Sequence, residues 1–451
     1  MCEIMSKQFT LDKLVDNPNT IRIINGDAKN IPYPDNHFDS CVCDPPYLLN
    51  FMGKNWDNTG ISYDIDMWKE VYRVLKPGAY LLAFSGSRTY HRMTCAIEDA
   101  GFVIHPMLGW ITAQGFPKAT NLSKQIDKHF GLEREVIGVK IRGDVEKAKT
   151  SGVTFAAADN NKNNKDIFGY GIEDITAPAT DLAKQWDGWY YGRQSTKPAL
   201  EPICMAQKPP EGKMVDNVIK YGTGAINIDG CRVGYEKDSD NPATNPLYRK
   251  QFGYKNKNAA DNGSNSFTIK DGSGERNPNE LGRFPANLIH DNSEEVVKEF
   301  PDSKGQQGDL INHDKDRISP NGIFGKMGRA TNYIKREDNE TSAARFFKSC
   351  EFELDDFTPF FYCPKASKLE RGEYNNHPTI KPLSLCRYLV RLVTPPNGIV
   401  LDPFMGSSSI PIAAIQEGFN SVGMDLDIES CKIAKLRIED KLGIKVEIEN
   451  D

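Results

Sequence analysis

The stretch Ser40-Cys41-Val42-Cys43-Asp44-Pro45-Pro46-Tyr47 constrains this chain more than any other. An apolar run stops at an acid, two prolines and an aromatic. The run reads as a buried strand. Proline has no N–H for a ladder, so the chain must leave the sheet at Asp44. A carboxylate, two proline carbonyls and an aromatic face are thereby set at a strand's C-terminal edge, where open α/β sheets bind ligands. A planar amine suits such an edge. Asp44 and a proline carbonyl accept its two hydrogens, and Tyr47 stacks on its ring. Turn chemistry alone accounts for a bare Pro-Pro-Tyr about as well. Asp44 directly behind the strand favours the functional reading.

A second strand-to-turn junction lies near the other end, Val400-Leu401-Asp402-Pro403-Phe404-Met405-Gly406-Ser407-Ser408-Ser409, followed by Ile410, Ala413 and Ala414 at helical spacing. Small residues at that turn let the backbone approach a ligand closely. Ile21–Ile24 reads as a strand and Asn25-Gly26-Asp27 as its turn. Trp68, Val71, Tyr72 and Leu75 mark a helix closed by Lys76-Pro77-Gly78, and Ala79–Phe84 a buried strand. Tyr90, Met93 and Ile97 mark a helix ending at Gly101. Phe102–Ile111 and Lys197–Ala206 read as further strands. Alternating strands and helices imply a doubly wound α/β core.

Of the 451 residues, 39% are hydrophobic and 26% charged, ordinary values for a globular chain. No apolar run is long enough to span a bilayer, and Met1–Thr10 has no secretory pattern. The ten cysteines form no CxxC pair or zinc spacing, so a reduced cytoplasmic protein without a metal site is expected. A net charge of −6 argues mildly against a nucleic-acid partner, but clustering matters more than the sum. Lys118, Lys124, Lys128, Arg134, Lys140 and Arg142 form one basic stretch, and Lys326, Arg329, Lys335, Arg336, Arg345 and Lys348 another. Taken alone, each is more readily a solvated face, by roughly two to one. Residues 210–345 are polar and irregular, as functional or flexible insertions are.

Asp44-Pro45-Pro46-Tyr47 resembles the catalytic motif of amino-group DNA methyltransferases, and Asp402–Ser408 the cofactor loop of the same family, with Ser408 where a second glycine is usual. Asn376-His377-Pro378-Thr379-Ile380-Lys381-Pro382 is similar to that family's His-Pro-Thr-x-Lys-Pro motif, and Lys197–Ile203 to its Lys-Pro-Ala-x-Glu-Pro-Ile segment. The motif order resembles the permuted β class. The resemblance implies a doubly wound, Rossmann-like methyltransferase core with an inserted target-recognition region. It also implies S-adenosylmethionine as cofactor, double-stranded DNA as partner, and methylation of adenine N6 on a flipped base. Asp44, Pro45, Pro46 and Tyr47 would be catalytic. Asp27 and Ala28, His377, Thr379 and Lys381, the loop residues Asp402, Pro403, Phe404, Gly406, Ser407 and Ser408, and Asp425 would hold the cofactor. Asp425 lies about twenty residues past the loop, a spacing that suits a carboxylate on ribose hydroxyls, with Asp427 its competitor.

The implied organisation is a catalytic half over 1–117, an insertion over 118–197, a core strand at 198–209, a target-recognition region over 210–345 and a cofactor half over 346–451. Cytosine N4 remains an alternative target, as does a catalytically silent DNA-binding relative, and the reading leaves a homodimer open.

Overall fold

The structure, a computed structural model, describes residues 20–48, 59–113, 117–142, 171–234, 282–303, 310–313, 330–334, 341–350 and 380–450. The expected site residues His377 and Thr379, and the strand-like Phe360–Cys363, lie outside the described residues.

Eleven strands form the main sheet. They are β1 (Ile21–Asn25), β2 (Phe38–Cys43), β3 (Leu75–Phe84), β4 (Val103–Ile104), β5 (Leu108–Ile111), β6 (Leu200–Gln207), β7 (Leu288–His290), β8 (Lys348–Ser349), β9 (Ile399–Asp402), β10 (Asn420–Asp425) and β11 (Ile448–Asn450). Their spatial order is β8-β7-β5-β6-β3-β2-β9-β10-β1-β11, with β4 also on β6. From β3 to β11 every pairing is parallel. β6 runs against its neighbours β3, β4 and β5. Two-stranded hairpins outside this sheet include Lys118–Asn121 with Tyr190–Gln194 and Val136–Arg142 with Gly171–Thr176.

The apolar strands are explained by burial on both faces. Cys41, Cys43, Leu81 and Ala83 share a core with Met67, Trp68 and Val71 of α1 (Ile65–Val74) and Met93 and Ile97 of α2 (Tyr90–Asp99). The intervening Val42, Tyr80, Leu82 and Phe84 point the other way, into a core with Leu385 and Leu389 of α3 (Leu383–Val393) and Ile410 of α4 (Ser409–Gln416). α5 (Ile428–Leu442) packs Cys431, Ala434 and Ile438 on Ile21 and Ile23. Helices on both faces of a largely parallel sheet make the doubly wound core that strand–helix alternation predicts.

Three boundaries differ from the sequence reading. β3 begins at Leu75 rather than Ala79, because a register shift between Phe38 and Ser40 takes Pro77 and Gly78 into a bulge. Phe102–Ile111 is split into β4 and β5 around Pro106, which has no N–H for a ladder. β7, from within 210–345, joins the core sheet in parallel with β5.

The connections from β2 and β9 diverge, β2 leading to β3 on one side and β9 to β10 on the other. The crevice where such connections part is the ligand site of open α/β sheets.

Candidate active site

Both motifs end at this crevice. Leu401 pairs with Cys41, so Asp402 and Asp44 close two neighbouring parallel strands. Gly423 pairs with Asp402 and Asn25 with Asp425, which brings Asp425 and the turn at Asp27 to the same edge. The reversed strand β6 begins where the parallel strands end. Ile203 pairs with Phe84, and Glu201, two residues earlier, projects past the end of β3. Five carboxylates, Glu201, Asp44, Asp402, Asp425 and Asp27, therefore follow one edge of the sheet.

Among the described residues, the Lys381 ammonium faces the Glu201–Asp44 end of that row. The Lys381 ammonium, 8% exposed, donates to Asp44 Oδ2 at 2.7 Å and lies 3.4 Å from Glu201 Oε2. It also sits 5.1 Å from the ring centre of Tyr47 and 4.9 Å from that of Phe84, distances at which a ring face attracts a cation. Burial alone would lower the pKa of this amine, but the Asp44 and Glu201 carboxylates outweigh it and hold the pKa above the ordinary lysine value. Tyr47 donates its hydroxyl to Glu201 Oε2 at 3.1 Å. Burial, with the same two carboxylates, pushes that phenol well above its usual range. The Pro46 carbonyl accepts from Ser62 Oγ, and the Ser62 carbonyl accepts from Trp68 Nε1 at 3.0 Å, so α1 braces the turn from behind. Lys381, expected beside the cofactor, is thus placed against the Asp44–Tyr47 turn; Pro382 and α3 follow directly.

The second loop is wound tightly. Gly406 and Ser408 both have left-handed backbones, with φ of 47° and 70°. Gly406 N–H donates to Asp425 Oδ2 at 3.0 Å, and Asp425 Oδ1 accepts from Asp427 N–H at 2.9 Å. Asp425 therefore ties the loop to the end of β10. Asp427, its competitor in the sequence reading, caps α5 through Glu429 N–H and Ser430 Oγ at 3.2 and 3.0 Å. Asp402 is buried; one oxygen accepts from Phe404 N–H at 3.2 Å, and Oδ2 has no partner among the described residues. Burial raises its pKa well above the carboxylate range, the Phe404 N–H opposes this, and the Asp44 and Asp425 charges add to it.

The Ser407 side chain turns away from the crevice. Buried Arg437 of α5 donates to Ser407 O, Ser407 Oγ and Ser409 Oγ at 2.9, 3.1 and 2.8 Å and supports the loop from below. Asp27 is exposed and accepts from Lys29 N–H at 3.0 Å, while Ala28 is buried beneath it. Sequence reasoning missed Arg437 and gave Glu201 no role. Its only signal for Glu201 was the Lys-Pro-Ala-x-Glu-Pro-Ile segment, read as a strand. Burial and the adjacent Cys41 push the Cys43 thiol well up, away from thiolate.

A parallel doubly wound core, with an acid-rich crevice at its switch point and a proline turn beside a glycine loop, defines the methyltransferase class. The family model described as DNA methylase, of the N6/N4 methyltransferases, matches residues 38–436, and the chain belongs to that family. The family uses S-adenosylmethionine. The C-methyltransferase UbiE of Neisseria gonorrhoeae is 27% identical over 131 residues, 29% of this chain and 49% of that protein. The DNA adenine methyltransferase YhdJ of Escherichia coli is 37% identical over 67 residues, 15% of this chain and 23% of that protein. The type II methyltransferase M.HindIII of Haemophilus influenzae is 26% identical over 166 residues, 36% and 38% of the two chains. The chain spans half or less of the length of these relatives, at 49%, 23% and 38%. Among solved structures, the cytosine-N4-specific PvuII DNA methyltransferase aligns with a TM-score of 0.38 and 12% identity, covering 96% of this chain and 97% of the other. Among the described residues no helix is long and apolar enough to cross a membrane.

Proposed function

We propose that this protein transfers a methyl group from S-adenosylmethionine to the N6 amine of adenine, flipped out of double-stranded DNA at one short sequence. The observation that carries this reading is the placement of Asp44-Pro45-Pro46-Tyr47 beside the Asp402–Ser408 loop at the switch point, with Lys381 on Asp44.

The crevice fits the cofactor. Its carboxylates suit a ligand bearing a sulfonium, an ammonium and ribose hydroxyls, and the partnerless Asp402 Oδ2 supplies a buried acceptor. The tight turn at Gly406 allows close backbone approach. Asp402, Pro403, Phe404, Gly406, Ser407 and Ser408 would hold it through the loop, Asp425 through ribose, and Asp27 and Ala28 at its adenine end. When bound, S-adenosylmethionine supplies an electrophilic methyl group.

The chain's own work falls on the amine. Its lone pair is delocalised into the base, which makes it a poor nucleophile. Asp44 and the Pro45 carbonyl accept its two hydrogens, so the nitrogen rehybridises and its lone pair is aimed. Positioning and fixed dipoles then supply most of the acceleration. Ser62 keeps the neighbouring Pro46 carbonyl turned away, and so fixes the peptide planes of the turn. Flipping the base costs a few kcal/mol. Stacking on Tyr47 returns about 1–3 kcal/mol.

Asp44 accepts from an amine on either adenine or cytosine. The preference for adenine rests on the acid at position 44, typical of the adenine branch in the resemblance. Nucleoside mass spectrometry after incubation of duplex DNA with labelled S-adenosylmethionine tests it. Label in N6-methyladenine alone is expected. Label only in methylcytosine would overturn the base assignment, and label in neither would overturn DNA as substrate.

A further inference from the structure

We propose that Glu201 is a positioning residue for methyl transfer, setting the plane of the Tyr47 ring and dividing the charge of Lys381 between two carboxylates. This rests on the function proposed above and names a residue that function does not itself require.

Two contacts carry the inference. Glu201 Oε2 accepts the Tyr47 hydroxyl at 3.1 Å and lies 3.4 Å from the Lys381 ammonium. Tyr47 is the aromatic face offered to the flipped base, and a ring stacks well only when its plane is held. With its hydroxyl anchored, the ring loses its freedom to swing. The anchor is itself rigid. β6 is laddered on both sides, Ile203 to Phe84 and Pro202 to Gly109, and the Pro202 carbonyl accepts from Ser85 N–H at 2.9 Å. A site residue held by a fixed strand is placed more closely than one held by a loop.

The second effect is electrostatic. Lys381 is buried, and a buried ammonium paired with Asp44 alone would grip that carboxylate and weaken it as an acceptor for the amine. A second carboxylate shares the pull. Glu201 thus leaves the Asp44 oxygens free to accept from the amine while Lys381 keeps both acids together at the mouth of the crevice. The Glu201 backbone pairs with Trp110 of β5, and its half-buried side chain makes these contacts beyond the end of β3.

The test is a double-mutant cycle with Glu201→Ala, Tyr47→Phe and the pair, on the full chain with duplex DNA and S-adenosylmethionine. Independent residues give additive effects and coupled ones do not. Glu201→Ala removes both the acceptor and the charge, and is expected to lower kcat about tenfold and to leave cofactor affinity, by calorimetric titration, within about twofold. In the Tyr47→Phe background, which has no hydroxyl to anchor, only the loss of charge sharing remains, and the same change is expected to cost about threefold. Equal losses in both backgrounds, or undiminished turnover in Glu201→Ala, would overturn the inference and leave the function standing. Loss of cofactor affinity in step with turnover would give Glu201 a structural role and overturn it likewise. No methyl transfer to DNA by the unaltered chain would instead overturn the function itself, and the inference with it.

Discussion

Replacing Asp402 by Asn is expected to move stability and cofactor affinity in opposite directions. Asp402 is 1% exposed, and its Oδ2 has no partner among the described residues. Its pKa in the folded protein is raised, by burial first and then by the Asp44 and Asp425 charges. For a carboxyl raised on folding, the favourable contribution is complete below the unfolded value of about 3.9 and is lost as pH climbs through the folded value. Asn carries no proton to lose. The variant and its parent should therefore converge toward acid, and the variant should gain as pH rises. Asn leaves a polar group at the same place, so the gain of the cofactor-free protein near pH 8 comes only from the ionisation it avoids, roughly 1.4 kcal/mol for each tenfold by which folding favours the protonated carboxyl. Affinity for S-adenosylmethionine loses a charge-assisted contact of about 1.5–3 kcal/mol, roughly ten- to a hundredfold in Kd. Thermal melts at about pH 5.5 and about pH 8, with calorimetric titration at the higher pH, read both effects. A variant that melts below its parent at the higher pH, or that binds the cofactor as tightly, would refute the reasoning.

Asp44→Ala is expected to abolish transfer while cofactor affinity stays within a few-fold, because Asp44 acts on the amine; normal turnover in a methyl-transfer assay would remove it from the mechanism. Asp425→Ala should weaken cofactor binding about tenfold or more, since the Gly406 and Asp427 N–H groups lose their acceptor along with any ribose contact; unchanged calorimetric affinity would contradict this. Ser408→Gly should stabilise the protein by about 1–2.5 kcal/mol: the left-handed backbone costs a non-glycine residue about 1–2 kcal/mol, its buried hydroxyl, without a partner among the described residues, about 1, and glycine's looser unfolded chain returns about 0.4–1. A lowered denaturation midpoint would show that the Ser408 hydroxyl is held after all.

The strands that end in chemistry were legible, because an apolar run that stops at Asp-Pro leaves few alternatives. Asp44 and Asp402 were found that way and Asp425 by its spacing past the loop, and the structure gathers them at one edge. Glu201 was not, because its place depends on the direction of β6. Had that strand run parallel, its first residues would lie at the opposite edge. Arg437 was hidden for a related reason. It sits mid-helix among charged neighbours, and only the packing of α5 under the loop turns it inward. β7 and β8 are three and two residues long, too short for any alternation to show. The start of β3 was missed because Pro77-Gly78 reads as a terminator, and the bulge that absorbs it is a property of the pair with β2.

The strand order also sets a timetable for synthesis. β1 has only β10 and β11 as neighbours, and β2 meets β9 on its far side. Ser40 and Thr394, whose hydroxyls bond at 2.8 Å, are 354 residues apart. At about 5–20 residues per second, β1 stands without its partner β10 for roughly twenty to eighty seconds. During that interval an unpaired ladder edge and much of an apolar core are open to other chains. A ribosome that stalls before residue 399 would leave the Asp-Pro-Pro-Tyr turn complete in sequence yet without the strand that gives it a crevice. Such a chain would be inert and prone to stick, so competence arrives late and all at once.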